Sequence, residues 1–190
     1  PEIREDLNIM KQNTERLLSL TNQLLDFRKT ESQGFRLNFA ECNVTEVLKE
    51  TYNRFTSLAR QRELDFVLNV GEQDFYAHVN KEAFTKIVSN LLNNAVKYAE
   101  TYVHVFLEMN GIGEKRMFYI RTVNDGVIIP NEMKEEIFKP FVRFNEKEDG
   151  KVTTGTGIGL ALSRSLAELH QGSLMMLEGE EANVFCLSLP

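Results

Sequence analysis

Ile3, Leu7, Met10, Thr14, Leu17, Thr21 and Leu24 recur at alternating steps of four and three, the spacing of a bundle-forming helix. Leu18, Leu20, Leu25 and Phe27 widen that stripe beyond what a lone surface helix needs. The pattern predicts one helix over residues 1–30, ended by Gly34. Such a stripe calls for cover from a preceding helix or a second copy in a bundle. Docking on the rest of its own chain is the alternative.

From residue 35 the period changes. Residues 35–39 alternate apolar and polar and predict a short strand. Asn43 or Thr45 then caps a helix running to Arg62, with Val44, Val47, Leu48, Tyr52, Phe55, Leu58 and Ala59 on its buried face. Strands follow at 64–70 and 75–79, and a helix at 81–98. Val103, Val105, Leu107 and Met109 alternate as a strand, which the 110–113 turn joins to a partner at 116–123. A short helix at 131–138, a polar loop at 145–154, a helix ending near His170, and strands at 173–177 and 184–189 complete the chain. Helices and strands in this order predict an α+β fold, a two-layer sandwich with the helices on one face.

Composition narrows the function. A hydrophobic content of 42% supports a core, and no apolar run reaches the roughly 18 residues of a membrane span. No secretory signal opens the chain. The net charge of −6, without a basic block, argues against a nucleic-acid surface. Cys42 and Cys186 match no metal spacing and read as reduced thiols of a cytosolic domain. His78, His104 and His170 are scattered, which excludes a zinc cluster.

Candidate chemistry begins on the 81–98 helix. Asn90, Asn94 and Tyr98 share one face with Lys97 beside them, while Leu91, Leu92, Ala95 and Val96 turn to the core. Asparagine is a poor helix former, so packing and propensity do not explain the pair. Carboxamide oxygens are hard ligands that suit Mg²⁺, and a lysine suits the phosphates it accompanies. A solvated polar face is the competing reading. Residues 124–130 leave a strand end through Asp125-Gly126, where a polar side chain can meet a planar ligand. The 145–154 loop runs into Gly155, Thr156, Gly157, Ile158, Gly159 and Leu160. Glycines opening a helix let backbone amides converge on an anion. Phe138, Phe141 and Phe144 beside Pro140 read as a packing anchor.

Taken in order, these pieces resemble the ATP-binding catalytic domain of sensor histidine kinases, whose fold is shared with DNA gyrase, heat-shock chaperone and mismatch-repair ATPases. Residues 90–98 resemble the N box, 124–130 the first glycine box, 138–141 the F box and 155–160 the second glycine box. The ending Leu24-Leu25-Asp26-Phe27-Arg28-Lys29 resembles the second helix of a dimerisation and phosphoacceptor domain. The resemblance implies two parts: residues 1–33 from that helix domain, and 34–190 as the catalytic domain. It implies ATP and Mg²⁺ as cofactors, with Asn94 on the metal and Asn90 beside it. Lys97 would contact phosphate, Tyr98 would pack on the nucleotide, and Asn124 with Gly126 would meet the adenine. Residues 142–154 would form a lid hinged at Gly155, Gly157 and Gly159, with Arg143, Lys147 and Lys151 as its cations. The implied partners are a phosphoacceptor helix, a response-regulator receiver domain and a second copy in a homodimer. The implied location is the cytoplasm, in a parent anchored in the bacterial inner membrane.

Three departures qualify the likeness. Asn124 stands where the family carries an aspartate, because Asp125 falls one position later. Ile128 replaces the second glycine of that box. No His-Glu-x-[Arg/Lys] motif occurs, so the acceptor histidine is expected on a helix ahead of residue 1, and this chain alone would not autophosphorylate. Asn90 occupies the place where the ATPase relatives carry a water-activating glutamate, and an amide cannot act as a base. The expectation is phosphoryl transfer to histidine. The alternative is a nucleotide-sensing pseudokinase or dimerisation module with weakened catalysis.

Overall fold

In the computed structural model the described residues are 2–31, 36–111, 116–144, 155–179 and 181–190. The first helix, α1, spans Glu2–Glu31. The strand expected at 35–39 instead forms at Ala40–Asn43 (β1), because β1 pairs antiparallel with Tyr76–Val79 (β3), in the register Ala40↔Val79. Asn43 ends β1 and caps the next helix, Val44–Gln61 (α2), by accepting from the Glu46 N–H at 3.0 Å. Such a cap contributes about 1 kcal/mol. Thr45, the other candidate cap, is buried and accepts from the Phe75 N–H. Leu58, expected on the buried face of α2, is exposed.

The main sheet runs in the order β2-β4-β5-β7-β6. Its strands are Asp65–Val70 (β2), Tyr102–Asn110 (β4), Met117–Asn124 (β5), Ser173–Leu177 (β6) and Asn183–Leu189 (β7). β2 pairs parallel with β4, and the other neighbours are antiparallel. The period-2 pattern of β4 and β5 sends Val103, Val105, Leu107, Phe118 and Ile120 to one buried face. The helices cover the sheet, with Lys81–Tyr98 (α3) on β5, α2 on β2, and Gly159–Leu169 (α4) on β6 and β7. The architecture is therefore an α+β two-layer sandwich.

α3 is the central helix. It buries Ala83, Phe84, Ile87, Val88, Leu91, Leu92, Ala95 and Val96, at about 1.5–3 kcal/mol for each fully buried large side chain. Both its ends are fixed. Asn80 accepts from the Ala83 N–H at 2.9 Å and donates its own N–H to His170 Nε2 at 3.1 Å. At the far end the Arg62 guanidinium donates to the carbonyls of Val96 and Ala99. The polar stripe is thus held at a fixed height above the sheet.

Two further elements differ from expectation. The 131–138 segment forms two 3-10 turns, Asn131–Met133 and Glu136–Phe138, and Pro140 ends the second by holding Lys139 extended. α4 begins at Gly159, with residues 155–158 irregular. Most of the α1 stripe has no cover: Leu7, Met10, Leu17, Leu18, Leu24 and Leu25 are exposed. Among the described residues α1 docks through its last turns, with Phe27 buried, Asp26 paired with Lys86, and α1 packed on α4.

Candidate nucleotide site

A cavity of about 400 Å³ opens between α3 and α4 above the ends of β5 and β7. Its lining combines two chemistries: a polar set, Asn90, Asn93, Asn94, Lys97, Tyr98, Gly155, Thr156 and Gly159, and an apolar set, Val127, Ile129, Ile137 and Phe185, which also holds Asn124 and Asn183.

The polar set rests on close approach. Lys97 Nζ donates to the Tyr98 hydroxyl at 2.8 Å and lies 4.4 Å from its ring centre. A Cβ at Gly155 would stand only 3.1 Å from Lys97 Nζ, so the glycine backbone faces the ammonium. Gly157 adopts φ +69°, and a Cβ there would come within 2.8 Å of the Phe141 backbone. The Phe141 N–H donates to the Gly157 carbonyl at 2.9 Å, closing that contact. α4 carries no side-chain cap, so its first-turn amides and dipole open towards Gly159 and Leu160 at the cavity wall. Asn90 Nδ2 donates to the Gly159 carbonyl at 3.2 Å and to Ser163 Oγ at 3.1 Å, tying α3 to the start of α4. Asn94 is half-buried on the wall and makes its carboxamide oxygen a candidate metal ligand.

The apolar set includes two asparagines opposite one another in the β5–β7 ladder. Asn183 is fully engaged. Its Nδ2 donates to the carbonyls of Gly126 and Val127, and its Oδ1 accepts from the Ile129 N–H at 3.0 Å. That clamp shapes the 126–129 loop. Asn124 is 3% exposed, and its Nδ2 has no hydrogen-bond partner among the described residues. Gly126 cannot carry a side chain, because a Cβ would meet the Tyr98 carbonyl oxygen at 2.0 Å.

Asp125 turns away from the cavity. Its carboxylate accepts the N–H groups of Glu100, Thr101 and Tyr102 and the Thr101 hydroxyl. Partial burial pushes its pKa up, but these hydrogen bonds outweigh burial and lower it from 3.8 to about 2. On the outer side, Arg164 stacks 3.6 Å from the Phe138 ring centre, donates to the Leu174 carbonyl and pairs with Glu135. Phe138 in turn packs edge-on against Phe185. These contacts fix the wall that carries Ile137.

Asn90, Asn94, Lys97, Tyr98, Asn124, Arg143, Gly155, Thr156, Gly157, Gly159 and Leu160 all line this one cavity. Gly126 stands behind Asn124. Ile158 does not reach the cavity: its side chain is buried in the core, and its N–H is donated to Thr156 Oγ1. Ile128 is exposed and points its bulk away from the lining. Lys147 and Lys151, with the rest of 145–154, lie outside the described residues. Several lining residues went unforeseen, Asn183 and Gln23 among them. Asn183 becomes visible only once β7 is registered against β5. Gln23 of α1 reaches the cavity and accepts from Thr156 Oγ1 at 2.8 Å, a tertiary contact with no sequence signal.

A family model described as histidine kinase-, DNA gyrase B- and HSP90-like ATPase matches residues 79–190, more than half of the chain. The chain belongs to this family. It is 26% identical over 168 residues to the sensor histidine kinase WalK of Bacillus subtilis strain 168, covering 88% of this chain and 27% of WalK. The first curated relatives are matched over only 14% to 30% of their own length. Among solved structures, full-length ShkA in complex with AMPPNP superposes over 100% of this chain and 39% of its own, with a TM-score of 0.82 and 22% identity. The histidine kinase ThkA in complex with the response regulator TrrA covers 99% of this chain and 51% of its own, with a TM-score of 0.74 and 23% identity. The sandwich fold is thus the fold of histidine kinases. Among the described residues no helix is long and apolar enough to cross a membrane.

Proposed function

We propose that this chain is the ATP-binding catalytic part of a sensor histidine kinase, passing the γ-phosphate of ATP to a histidine on another helix for relay to a response regulator. One observation carries the reading: residues of the N box and of both glycine boxes line a single cavity whose polar groups suit a phosphate chain and whose apolar groups suit a planar base. Among the polar groups, Asn94 offers an amide oxygen to Mg²⁺, and Lys97 and Arg143 face the phosphates. The unsatisfied amides opening α4 add a fixed positive field. Mg²⁺ fits this donor set. Among the described residues no group of three His, Cys, Asp or Glu side chains could hold a metal alone. Mg²⁺ keeps several waters and takes few protein ligands beside substrate phosphates, so a single hard amide oxygen suffices as the protein's contribution. Phosphoryl transfer needs positioning and charge neutralisation, which these groups supply. Asn90 cannot activate water, which favours transfer to histidine over hydrolysis.

In this proposal residues 1–33 are the second helix of a dimerisation and phosphoacceptor domain, and 34–190 the catalytic domain. The exposed stripe of α1 would be covered by the helix bearing the acceptor histidine and by a second copy in a homodimer. ThkA, with its bound regulator, supplies the precedent for the relay partner. The second reading, a nucleotide-sensing module with weakened catalysis, is favoured by Asn124 in the place of a carboxylate.

Calorimetric titration with ADP, with and without Mg²⁺, tests the reading. ADP should bind more tightly with Mg²⁺, and Asn94→Ala should remove about tenfold or more of that gain. Absence of binding in both conditions would overturn the proposal. Binding without phosphate transfer to an added acceptor helix would establish the second reading.

A further inference from the structure

Among the described residues, Asn124 is a buried polar side chain on the cavity lining that keeps a hydrogen-bonding atom unspent. Asn183 beside it uses both its amide atoms on the 126–129 backbone. Asp125 is consumed by the 100–102 amides. Asn124 is 97% buried, lines the cavity, and its Nδ2 has no partner among the described residues. Nδ2 is turned towards the buried Gly126 backbone behind it, where a Cβ would lie 3.0 Å away. As the amide stands, Nδ2 is shut off from the cavity and no hydrogen bond holds it there, so nothing fixes which amide atom faces a ligand; a half-turn would present the donor and relieve the cost of a buried, unpaired N–H.

A carboxylate here would only accept hydrogen bonds, whereas a carboxamide both donates and accepts. The two purine classes present opposite edges. Adenine offers an amino donor beside a ring-nitrogen acceptor; a 6-oxopurine offers a carbonyl acceptor beside a ring N–H donor. Rotating the Asn124 amide by half a turn exchanges its oxygen and nitrogen without changing its shape. We infer that this site accepts 6-oxopurine nucleotides as well as adenine nucleotides, with Asn124 as the residue that sets this tolerance. The inference deepens the nucleotide reading above and rests on it.

Calorimetry with ADP, IDP and GDP on the whole chain tests it, each with Mg²⁺. IDP carries the 6-oxo edge without the 2-amino group of guanine, so it reports the edge alone. The inference expects IDP or GDP to bind within about tenfold of ADP. In Asn124→Asp the ratio of IDP to ADP affinity should fall by about tenfold or more, the usual scale of a base-edge mismatch. Should ADP bind while IDP and GDP are both weaker by more than that margin, the inference fails and the nucleotide reading survives. An unchanged ratio in a folded Asn124→Asp protein also overturns it, since the tolerance would then belong to other residues. If that variant does not fold, the comparison in the unaltered chain decides alone. Failure of all three nucleotides to bind would remove the nucleotide reading itself.

Discussion

Asn124 and Asp125 are neighbours in the chain, yet only one of them faces the cavity. The strand pleat sends Asn124 inward, and the turn that follows carries Asp125 to the exposed amides at the end of α3. Its role is that of a cap for the 100–102 segment. At neutral pH, Asp125→Asn should cost about 1–2 kcal/mol of unfolding free energy, since an amide replaces a charged acceptor of several N–H bonds. Because the folded-state pKa lies below its ordinary 3.8, the contribution is complete above that value and vanishes as pH falls towards about 2. Denaturant titrations of the two proteins should therefore converge between pH 4 and 2. A constant gap across that window would show that Asp125 does not act through its charge. The family resemblance assigned Asn124, which lines the cavity, to the base and left Asp125 without a role, because the amides it caps lie more than twenty residues away.

The Asn90 stripe shows how much an element carries beyond its motif. Helical periodicity correctly put Asn90, Asn94, Lys97 and Tyr98 on one cavity wall, since 3.6 residues per turn is a local property. It could not reveal that Asn90 Nδ2 is spent on the Gly159 carbonyl and Ser163 Oγ, which tie α3 to α4. Asn90→Asp would set a carboxylate oxygen against that carbonyl. Without any ligand, the melting temperature should fall by several degrees, the scale set by a loss of about 1–3 kcal/mol. A variant as stable as the parent would show that the tether is not what fixes the start of α4, and Asn90 would then matter only with ligand bound. The corrected elements fail for similar reasons. The strand expected at 35–39 formed where β3 could pair with it, at Ala40–Asn43. The 131–138 helix is instead two 3-10 turns, and only its end, the extended Lys139 before Pro140, was legible in the sequence.

At the scale of the molecule, the question is how α1 and the sandwich speak to each other. The heptad stripe made the helix legible, and that stripe is largely exposed. What holds α1 to the sandwich is instead its final turns. Phe27 is buried in the core, Asp26 pairs with Lys86 of α3 at 2.9 Å, and Gln23 accepts from Thr156 at the cavity wall. Two of those three are polar and gave no hydrophobic signal. Phe27 therefore carries most of the docking energy, because an exposed ion pair contributes about 1 kcal/mol at most, whereas Phe→Ala in a core costs about 3–5 kcal/mol. The loss in Phe27→Ala should fall on the docked turns rather than on the sandwich, whose own core is continuous from α2 through α4. Hydrogen exchange should then lose protection over residues 20–31, while β4, β5 and β7 exchange as in the parent. Equal loss in the sheet would mean that α1 and the sandwich unfold as one cooperative unit. Unchanged protection in α1 would mean that Gln23 and Asp26, not Phe27, hold the helix.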